Sequence, residues 1–566
     1  MGIIGIDLGT TNSLISVWQD GQAVVIPNVL GDALTPSVVG VDDNGEVLVG
    51  KAAKERLYTH PAVTVELFKR YMGSEKEYSL ANHTFKPQDL ASFVLRALKA
   101  DAEAYLGCEV TEAVISVPAY FNEQQRRATQ LAGQLAGLKV ERLISEPTAA
   151  ALAYGVVSPD TEKHYMIFDL GGGTFDVSVL ELFDGVMEVN ASAGDNHLGG
   201  EDFLDVLLDY FCEKVNINKE VLNQAAYTHL RHQVNQAKHQ LSTHHQTIIQ
   251  FKYNDKQALL TITREEFEKL CEPLINRLRL PVERALRDAK IKPADVDELI
   301  LVGGSTRMAL VRSLVAKLFG RLPSCYLNPD QVVAMGAAVQ AGLKQKDQAL
   351  REVVMTDVCP YSLGVEVSSN RGGYYDSGLF SPILERNTAV PASRVERFTT
   401  SSDQQTKVNI KIYQGESRRV KDNIKLGNLM IEVSPKPAGE EAVDIRFTYD
   451  VNGILEVEVK VVSTGQQATT VIEEYPGLLT PAEIATKLAA LSEIKIHPRD
   501  SMENRLLMAR GERLYEQALG EQRDYIGELL MEFETVLAQQ DIKKIRQLNR
   551  DLNQLFDEIE AELHLL

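Results

Sequence analysis

Two short segments of the chain end an apolar run with an aspartate and follow it with glycine and threonine. They read GIDLGTT at 5–11 and FDLGGGTFD at 168–176. Such glycines allow backbone N–H groups to come close to phosphate oxygens, and the aspartate can hold Mg²⁺ through the waters of the ion. One copy alone is compatible with a plain β-turn. Two copies predict two similar lobes that each contribute a phosphate-binding hairpin to one nucleotide cleft.

A third segment, LVGGSTR at 301–307, again runs from a strand through two glycines to a helix start, which suits it to hold another part of the nucleotide. The segment GEVLVGK at 45–51 matches the first seven positions of a P-loop. However, Ala52 stands where a Ser or Thr would bind Mg²⁺, and VLV is typical of a strand. No GxGxxG follows a strand, and no HExxH or GxSxG occurs. The doubled hairpin is therefore the strongest phosphate-binding pattern in the chain.

The elements that must position these motifs change character along the chain. The first 345 or so residues alternate short apolar runs with longer helical patterns, which predicts an α/β domain with sheets buried under helices. The predicted strands are Ile3–Ile6, Ala113–Val117, Met166–Phe168 and Leu299–Val302. The predicted helices are Asn122–Leu135 and Gly199–Cys212.

After residue 347 the apolar pattern has period two, as an antiparallel sandwich requires. The predicted strands there cover 408–412, 445–449 and 455–459. The sheet pattern ends near Tyr475, and TPAE at 480–483 has the form of a helix-capping box. Apolar residues at helical spacing in the tail favour helices that pack on each other over a groove for a partner. These residues are Leu548, Leu552, Leu555, Ile559 and Leu563.

Length, charge and cysteine content limit the classes of protein to which this chain can belong. A chain of 566 residues exceeds one core and predicts two to four domains. The net charge of −20 opposes nucleic acid or an anionic membrane as the main partner. Five scattered cysteines without a CxxC indicate neither a disulfide framework nor a zinc site. No signal-peptide pattern and no membrane-spanning run is present, which predicts a cytoplasmic protein.

Beyond these patterns, seven segments together resemble the DnaK-type, seventy-kilodalton heat-shock chaperones. They are GIDLGTTNS (5–13), VPAYFNEQQRRAT (117–129), EPTAAALAYG (146–155), FDLGGGTFDVSVL (168–180), HLGGEDF (197–203), GGSTRM (303–308) and NPDQVVAMGAA (328–338). The resemblance implies a multidomain α/β + β + α chain: an actin-like, two-lobed ATPase, an apolar linker, an antiparallel β-sandwich that grips extended peptides, and a short helical lid. The implied limits of these four parts are 1–350, 351–358, 359–476 and 477–566.

The resemblance also implies roles at the phosphate end of the cleft. Asp7 and Asp169 would hold hydrated Mg²⁺, while Asp176 and Thr174 lie where the family also binds K⁺. Lys69 matches the lysine that orients the attacking water, and Glu146 matches the glutamate that helps to position it. The reaction is then in-line phosphoryl transfer from ATP to water, with Asp169 and Thr174 also in the catalytic set. The implied phosphate hairpins consist of Gly9, Thr10, Thr11, Asn12, Gly172, Gly173 and Thr174.

The implied adenosine pocket departs from the family pattern at one position. Asn235 replaces the usual glutamate that hydrogen-bonds ribose, but an amide can still accept and donate, so ATP and ADP are expected to bind. The remaining residues implied at this end are Lys238, His239, Ser242, Gly303, Gly304, Ser305, Arg307 and Asp330.

Other matched positions concern signalling and protein partners. Pro118 and Arg126 resemble the family's proline switch and arginine relay, and Arg142 and Asp357 match positions used by J-domain cochaperones. The stretch from 73 to 86 and the loop at 247–263 are shorter than in DnaK, which argues against a GrpE-type exchange factor. The linker segment EVVMTD at 352–357 has a threonine in place of the last leucine, so weaker docking is expected.

The implied peptide site keeps its apolar pocket but changes its arch. Val365, Phe398, Val408 and Ile410 form the pocket, whereas serines occupy the two arch positions, 368 and 401. Loss of an apolar arch should cost about 1–2 kcal/mol of peptide affinity. The following hairpin, 369–385, is longer than usual and contains Tyr374, Tyr375 and Phe380. With the short tail, these features resemble the HscC branch of the family. The arch residues are Ser368 and Ser401.

Two classes of function remain open from the sequence. In the first, an ATP-driven chaperone binds and releases unfolded or extended polypeptide segments. In the second, the ATPase is a nucleotide-gated switch for one dedicated folded partner, with the serine arch and long hairpin as docking surface. A sugar or acetate kinase shares the doubled hairpin, but the sandwich and lid argue against it.

Overall fold

The computed structural model describes residues 2–42, 44–157, 163–183, 186–253, 256–324, 327–345, 350, 354–371, 374–450, 453–472 and 502–564. The chain divides into two compact units. Unit one is Met1–Tyr361 with Arg386–Val390, and unit two is Ser362–Glu385 with Pro391–Leu566. This division does not test the finer limits predicted at 350, 358 and 476, which stay predictions.

The first lobe of unit one surrounds a mixed sheet. Its strands are β1 (Gly2–Asp7), β2 (Asn12–Gln19), β3 (Gln22–Ile26), β4 (Thr35–Pro36), β5 (Val39–Val41), β6 (Val47–Val49), β7 (Thr64–Val65), β8 (Tyr78–Leu80), β9 (His83–Phe85), β10 (Val110–Val117) and β11 (Lys139–Ser145). Its helices are α1 (Lys51–Thr59), α2 (Pro87–Leu106) and α3 (Glu123–Leu135). The main sheet has the order β11-β10-β1-β2-β3, with β10 parallel to β1 and β2 antiparallel to it.

Helix α3 begins where its sequence provides a capping box. The Asn122 side chain accepts a hydrogen bond from the Gln125 N–H, and the Gln125 side chain accepts one from the Asn122 N–H, both at 3.0 Å. This reciprocal pairing satisfies two backbone donors that a helix start leaves free. The helix predicted at 122–135 and the strands predicted at 3–6 and 113–117 are confirmed.

The second lobe repeats the arrangement of sheet and covering helices. Its elements are α4 (Glu146–Val157), β12 (Lys163–Leu170), β13 (Phe175–Phe183), β14 (Val186–Asp195), α5 (Gly200–Lys214), α6 (Gln224–Leu241), β15 (Gln246–Tyr253), β16 (Lys256–Thr263), α7 (Arg264–Leu270), α8 (Glu272–Ala289), β17 (Glu298–Val302), α9 (Ala309–Phe319), α10 (Val332–Lys344) and β18 (Val354–Val358). The sheet has the order β17-β12-β13-β14-β18. The segment 247–263, expected as a loop, is a two-stranded hairpin of β15 and β16.

Three apolar cores hold unit one together. One core lies in each lobe, and the third is built around α4 and α10, which pack against each other. At their crossing, a Cβ added to Gly336 would lie 1.7 Å from the Ala149 carbonyl oxygen, so only glycine permits this approach. The two lobes therefore share a close-packed helical contact beneath the cleft.

Unit two is antiparallel in its strands, and its remaining described elements are helices. The strands that follow β18 are β19 (Leu363–Arg371), β20 (Tyr374–Leu384), β21 (Ala389–Val390), β22 (Ala392–Thr399), β23 (Lys407–Gln414), β24 (Ile424–Glu432), β25 (Ala442–Tyr449), β26 (Leu455–Val461) and β27 (Gln467–Ile472). Strand β21 belongs to unit one, where it pairs with β18. The others form two four-stranded sheets, β20-β19-β23-β24 and β22-β25-β26-β27, as expected for a β-sandwich. The strands predicted at 408–412, 445–449 and 455–459 are confirmed.

The last described residues form three helices, α11 (Met502–Gln517), α12 (Glu521–Gln539) and α13 (Ile542–His564). Leu552 and Ile559 are buried in their common core, which confirms helices packed on each other. Between α12 and α13, Gln540 accepts a hydrogen bond from the Val395 N–H of β22 and donates one to the Val395 carbonyl, at 3.3 and 3.0 Å. The capping box predicted at 480–483 lies outside the described residues. None of the helices in the described part of the chain has the length and apolar character of a membrane-spanning segment.

Candidate functional site

Two hairpins face each other at the centre of unit one. The first joins β1 to β2 after Asp7, and the second joins β12 to β13 between Leu170 and Phe175. A Cβ added to Gly172 would lie 2.5 Å from the Thr11 methyl carbon, and one added to Gly173 would lie 2.9 Å from that of Thr10. The glycines are therefore required because the two turns approach each other almost to contact.

A buried ion pair lies at the same place. Lys69, in a short 3₁₀ turn at Phe68–Tyr71, donates to a Glu146 oxygen at 2.8 Å, and the side chains are 4% and 10% exposed. The Lys69 ammonium also lies 5.6 Å from the Phe121 ring centre. Because a buried charge is retained only when it is paired, Glu146 fixes the position of the lysine charge in the cleft.

Three aspartates surround this pair. Asp7 accepts a hydrogen bond from the Ser116 hydroxyl at 3.0 Å, and Asp176 accepts one from the Tyr120 N–H at 3.2 Å. Asp169 keeps one carboxylate oxygen, Oδ2, that is buried and has no hydrogen-bond partner among the described residues. Glu146 and the neighbouring aspartates oppose ionisation of these carboxyls, whereas Lys69 favours it.

This excess of negative charge changes the pKa values of the aspartates. Burial, followed by the charge of Glu146, raises the pKa of Asp7 to about 7 and that of Asp176 to about 8. The pKa of Asp169 is raised well above its ordinary value by burial and then by Glu146, Asp176 and Asp7. Each aspartate would return to its charged form if a cation entered the cleft.

The donor set suits a hard divalent cation such as Mg²⁺, which prefers oxygen ligands and keeps several of its waters. Within the described residues, no group of three or more acidic, histidine or cysteine side chains converges closely enough to coordinate a metal directly. The orphaned Oδ2 of Asp169 and the unneutralised charge of Asp7 fit a hydrated ion held through water.

One face of α6 lines the other end of the cleft. Seven residues contribute to it with helical spacing, so that they share one side of the helix and its C-terminal cap. Lys238 is buried, donates to the Gly200 carbonyl at 2.9 Å, and has its pKa lowered by burial. The seven residues are Thr228, Arg231, His232, Asn235, Lys238, His239 and Ser242.

The segment after β17 closes this end. Gly303 has a φ of 83°, and a Cβ there would lie 2.4 Å from the Leu170 carbonyl oxygen. The Ser305 hydroxyl donates to the Gly171 carbonyl at 2.8 Å, and Arg307 pairs with Asp330 at 2.6 Å. A 3₁₀ turn, Gly304–Arg307, separates the glycine pair from α9, which the sequence placed directly after it.

Both ends line one cavity of about 500 Å³. It brings together all the predicted nucleotide and catalytic residues except Gly173 and Asp176, which lie behind the lining. Its wall also includes residues that sequence reasoning missed. The period of α6 could have indicated Thr228, Arg231 and His232, and Glu201 lies within the quoted HLGGEDF segment, whereas no sequence signal pointed to Glu66. The predicted residues on the wall are Asp7, Gly9, Thr10, Thr11, Asn12, Lys69, Glu146, Asp169, Gly172, Thr174, Asn235, Lys238, His239, Ser242, Gly303, Gly304, Ser305, Arg307 and Asp330.

The residues predicted to relay the nucleotide state lie in unit one. Pro118 is buried directly after β10, and its carbonyl accepts from the Phe121 N–H at 3.1 Å. Asp357 lies in β18, where burial raises its pKa and the charges of Arg126 and Arg142 oppose that rise. The structure therefore places those two arginines within electrostatic reach of Asp357. Linker residues 352 and 353 lie outside the described residues.

The predicted peptide-site residues all lie on or next to strands of unit two. Val365 and Ile410 are buried, and Phe398 and Val408 are half-buried. Ser368 and Ser401 are exposed. The strands β19 and β20 form the long hairpin, with Tyr374 paired to Arg371 in the backbone register. The side chains of Tyr374 and Tyr375 lie outside what the structure describes.

Comparison with known proteins gives a consistent result. The family described as Hsp70 protein matches residues 3–564. The chain is 43% identical over 485 residues to the chaperone protein DnaK of Thermotoga neapolitana, a match covering 83% of this chain and 80% of that protein. The proteins of the same name from Thermotoga maritima and Thermosipho melanesiensis are each 42% identical, with the same two coverages.

Proposed function

This chain belongs to the Hsp70 family, and from that premise we propose which of its residues bind ATP, hydrolyse it and grip polypeptide. Hsp70 proteins are ATPases that bind ATP and ADP with Mg²⁺ and act as ATP-dependent chaperones on unfolded polypeptides. The protein is such a chaperone, and the small-molecule kinase alternative is excluded by the match over 3–564. The HscC branch stays a prediction.

The buried pair of Lys69 and Glu146 carries the catalytic proposal. Its 2.8 Å contact holds an ammonium group between the two phosphate hairpins, where the γ-phosphate of ATP would lie. The Lys69 N–H groups orient the attacking water and offset the charge that gathers on the phosphoryl oxygens. Glu146 keeps the lysine in place and is close enough to share in positioning that water.

The hairpin backbones bind and orient the phosphates. Thr10, Thr11 and Asn12 act from the first turn, and Gly172, Gly173 and Thr174 from the second. Asp7 and Asp169 would hold the hydrated Mg²⁺, which would supply charge neutralisation when bound. We also propose K⁺ near Asp176 and Thr174. Because burial and mutual repulsion make the charged carboxylates costly, nucleotide with its cations would remove that cost.

The α6 end binds the nucleoside. Asn235, Lys238, His239 and Ser242 line it from one side. The segment after β17, with Gly303, Gly304, Ser305, Arg307 and Asp330, lines it from the other. The close approach of Gly303 to Leu170 supports this role because it packs the segment directly against the second phosphate hairpin.

The sandwich of unit two binds the client segment at Val365, Phe398, Val408 and Ile410. Exposed serines at the arch, 368 and 401, replace apolar cover with hydroxyls, which supports weaker binding of apolar peptides. In chain order, the proposed parts are an ATPase at 1–350, a linker at 351–358, a sandwich at 359–476 and a short lid at 477–566. Helices α11 to α13 belong to the lid.

The partners and the location of the protein complete the proposal. A J-domain protein stimulates hydrolysis through Arg142 and Asp357, and Pro118 and Arg126 transmit the nucleotide state. The β15–β16 hairpin is short, which supports exchange without a GrpE-type factor. A cytoplasmic location stays a prediction.

One observation favours the alternative of a dedicated folded partner. The long β19–β20 hairpin is braced from outside its two strands, because Arg419 binds Asp376 at 2.6 and 3.2 Å and the Ser377 carbonyl at 2.8 Å. A braced hairpin is a better docking surface than a loose one, since less conformational entropy is lost on binding.

The variant Lys69→Ala tests the catalytic proposal. We expect ATP hydrolysis to fall by about a hundredfold or more, while the dissociation constant of ADP changes by less than about fivefold. Single-turnover hydrolysis and equilibrium ADP binding measure the two effects. Lys317→Ala, an exposed lysine of α9, is the matched control and should hydrolyse ATP normally. Normal hydrolysis by Lys69→Ala would refute the proposal.

A further inference from the structure

An unassigned carboxylate lies in the nucleotide cavity. Glu66 is three residues before Lys69, and both side chains line the cavity. The intervening Leu67 has a φ of 60°, which is uncommon for a branched apolar residue and turns the chain sharply at this point. This turn lets two nearby side chains, one acidic and one basic, reach the same cavity.

Glu66 has no hydrogen bond or ion pair to any described residue, although it is half-buried. The charges that act on it most strongly are those of Glu201, Arg231 and Lys54. Arg231 is already engaged by Glu201 at 2.5 Å and by Asp205 at 2.6 Å. Burial, followed by the charge of Glu201, raises the pKa of the Glu66 carboxyl. A donor that arrived with a ligand would stabilise this carboxylate.

A second unsatisfied acceptor lines the same cavity from α6. Asn235 is one turn beyond Arg231 and also lines the cavity, and its Oδ1 is buried without a hydrogen-bond partner. Buried acceptors of this kind are costly, and a ligand that satisfies them gains affinity. Two acceptors on the wall of one cavity suit a ligand group with two donors.

The position of Glu66 selects which part of the nucleotide provides these donors. Three residues of extended chain span at most about 10 Å, so Glu66 lies close to the phosphate end marked by Lys69. In a nucleoside triphosphate the group next to the phosphates is the ribose, and the base lies farther away. The vicinal ribose hydroxyls provide the two donors.

We infer that Glu66 is a specificity residue that accepts a hydrogen bond from the ribose hydroxyls of the bound nucleotide, with Asn235 accepting the second. This inference rests on the proposed ATP site. The ribose contact is the same in the ground state and in the transition state. Loss of Glu66 should therefore change the KM or Kd of ATP without a change in kcat.

The test compares ATP with 2′,3′-dideoxy-ATP on the full chain and on Glu66→Gln, by calorimetric binding and by hydrolysis. For the unaltered protein, ATP should bind roughly tenfold more tightly than the dideoxy nucleotide. In Glu66→Gln this preference should fall to about twofold or less, because ATP loses affinity and dideoxy-ATP does not. The value of kcat should stay unchanged. Glu46→Gln, an exposed acid of the same lobe, should keep the full preference.

Each of three other outcomes would contradict either the proposed ATP site or the ribose assignment. If neither nucleotide binds to the unaltered protein, the proposed ATP site itself fails. If both nucleotides lose affinity equally in Glu66→Gln, the residue shapes the cavity only, and the ribose assignment is wrong. If the loss disappears instead with purine riboside triphosphate, which lacks the adenine amine, Glu66 contacts the base and the ribose assignment is also wrong.

Discussion

The two ends of the nucleotide cavity are built in different ways. At the phosphate end, two turns meet so closely that Gly172 has no room for a Cβ, and buried charges surround Lys69. At the α6 end, side chains project from one face of a helix into the cavity. A turn position that only glycine can occupy tolerates no other residue, whereas a position on a helix face can carry many different side chains.

This difference explains where the sequence keeps the family pattern and where it departs. Asn235 stands in place of a glutamate, and Glu66, which has no role in the family pattern, lines the same cavity. The two glycine turns show no comparable departure from the family pattern. Tolerance to substitution should therefore increase from the phosphates toward the nucleoside.

The largest effect is expected from Gly172→Ala. Its Cβ would lie 2.5 Å from the Thr11 methyl carbon, so the two hairpins must separate. Overpacking of this kind costs about 1–3 kcal/mol, which corresponds to as much as a hundredfold loss of ATP affinity. Equilibrium ATP binding measures it.

The adjacent Gly171→Ala is the matched control. Its Cβ would meet nothing nearer than the Thr174 carbonyl oxygen, at 3.8 Å. The affinity for ATP should change by less than about threefold, because no contact must shift. Equal damage from both variants would contradict the idea that close approach, rather than turn chemistry, demands the glycine.

A smaller effect is expected from the charges at the phosphate end. The pKa values of Asp7 and Asp176 are raised to about 7 and about 8. Between the ordinary aspartate pKa and these values, the folded chain keeps two protons that the unfolded chain has already released. Stability without nucleotide or Mg²⁺ should therefore fall as pH rises from about 4 to about 8. Asp7→Asn should become more stable than the unaltered protein over this range, by on the order of 2 kcal/mol near pH 8.

Urea unfolding at several pH values, in the presence of a chelator, measures this difference. Saturating Mg²⁺ and ADP should reduce the pH dependence of the unaltered protein, because the cation favours the charged aspartates. A difference between variant and unaltered protein that stays constant with pH would show that Asp7 is not neutralised in the empty cleft.

The smallest effect is expected at the α6 end. His239→Ala removes one side chain from an open wall, and burial followed by the charge of Lys238 lowers the pKa of this histidine. The lost contact is therefore mainly van der Waals contact of a neutral ring, and ATP affinity should fall only about threefold. His229→Ala, an exposed histidine on the same helix but off the cavity wall, is the control. A loss as large as that of Gly172→Ala would remove the proposed contrast between the two ends.

The sequence predicted much of the fold because the relevant signals are local. Apolar periodicity located β1, β10, β12 and β17, and the helical pattern over 122–135 located α3. The doubled glycine motif predicted two hairpins for one cleft. In contrast, the segment 247–263, expected as a loop, forms the hairpin of β15 and β16.

What the sequence determined by itself was the set of elements and the glycine positions, since backbone conformation and strand pattern are properties of neighbouring residues. Only the tertiary structure decided which distant residues meet. It placed Lys69 2.8 Å from Glu146 and raised the pKa values of three aspartates. It also exposed Glu66 to the cavity. Contact and burial across the cleft depend on the packing of two lobes around α4 and α10. No local pattern in the sequence predicts how close residues of the two lobes lie to each other.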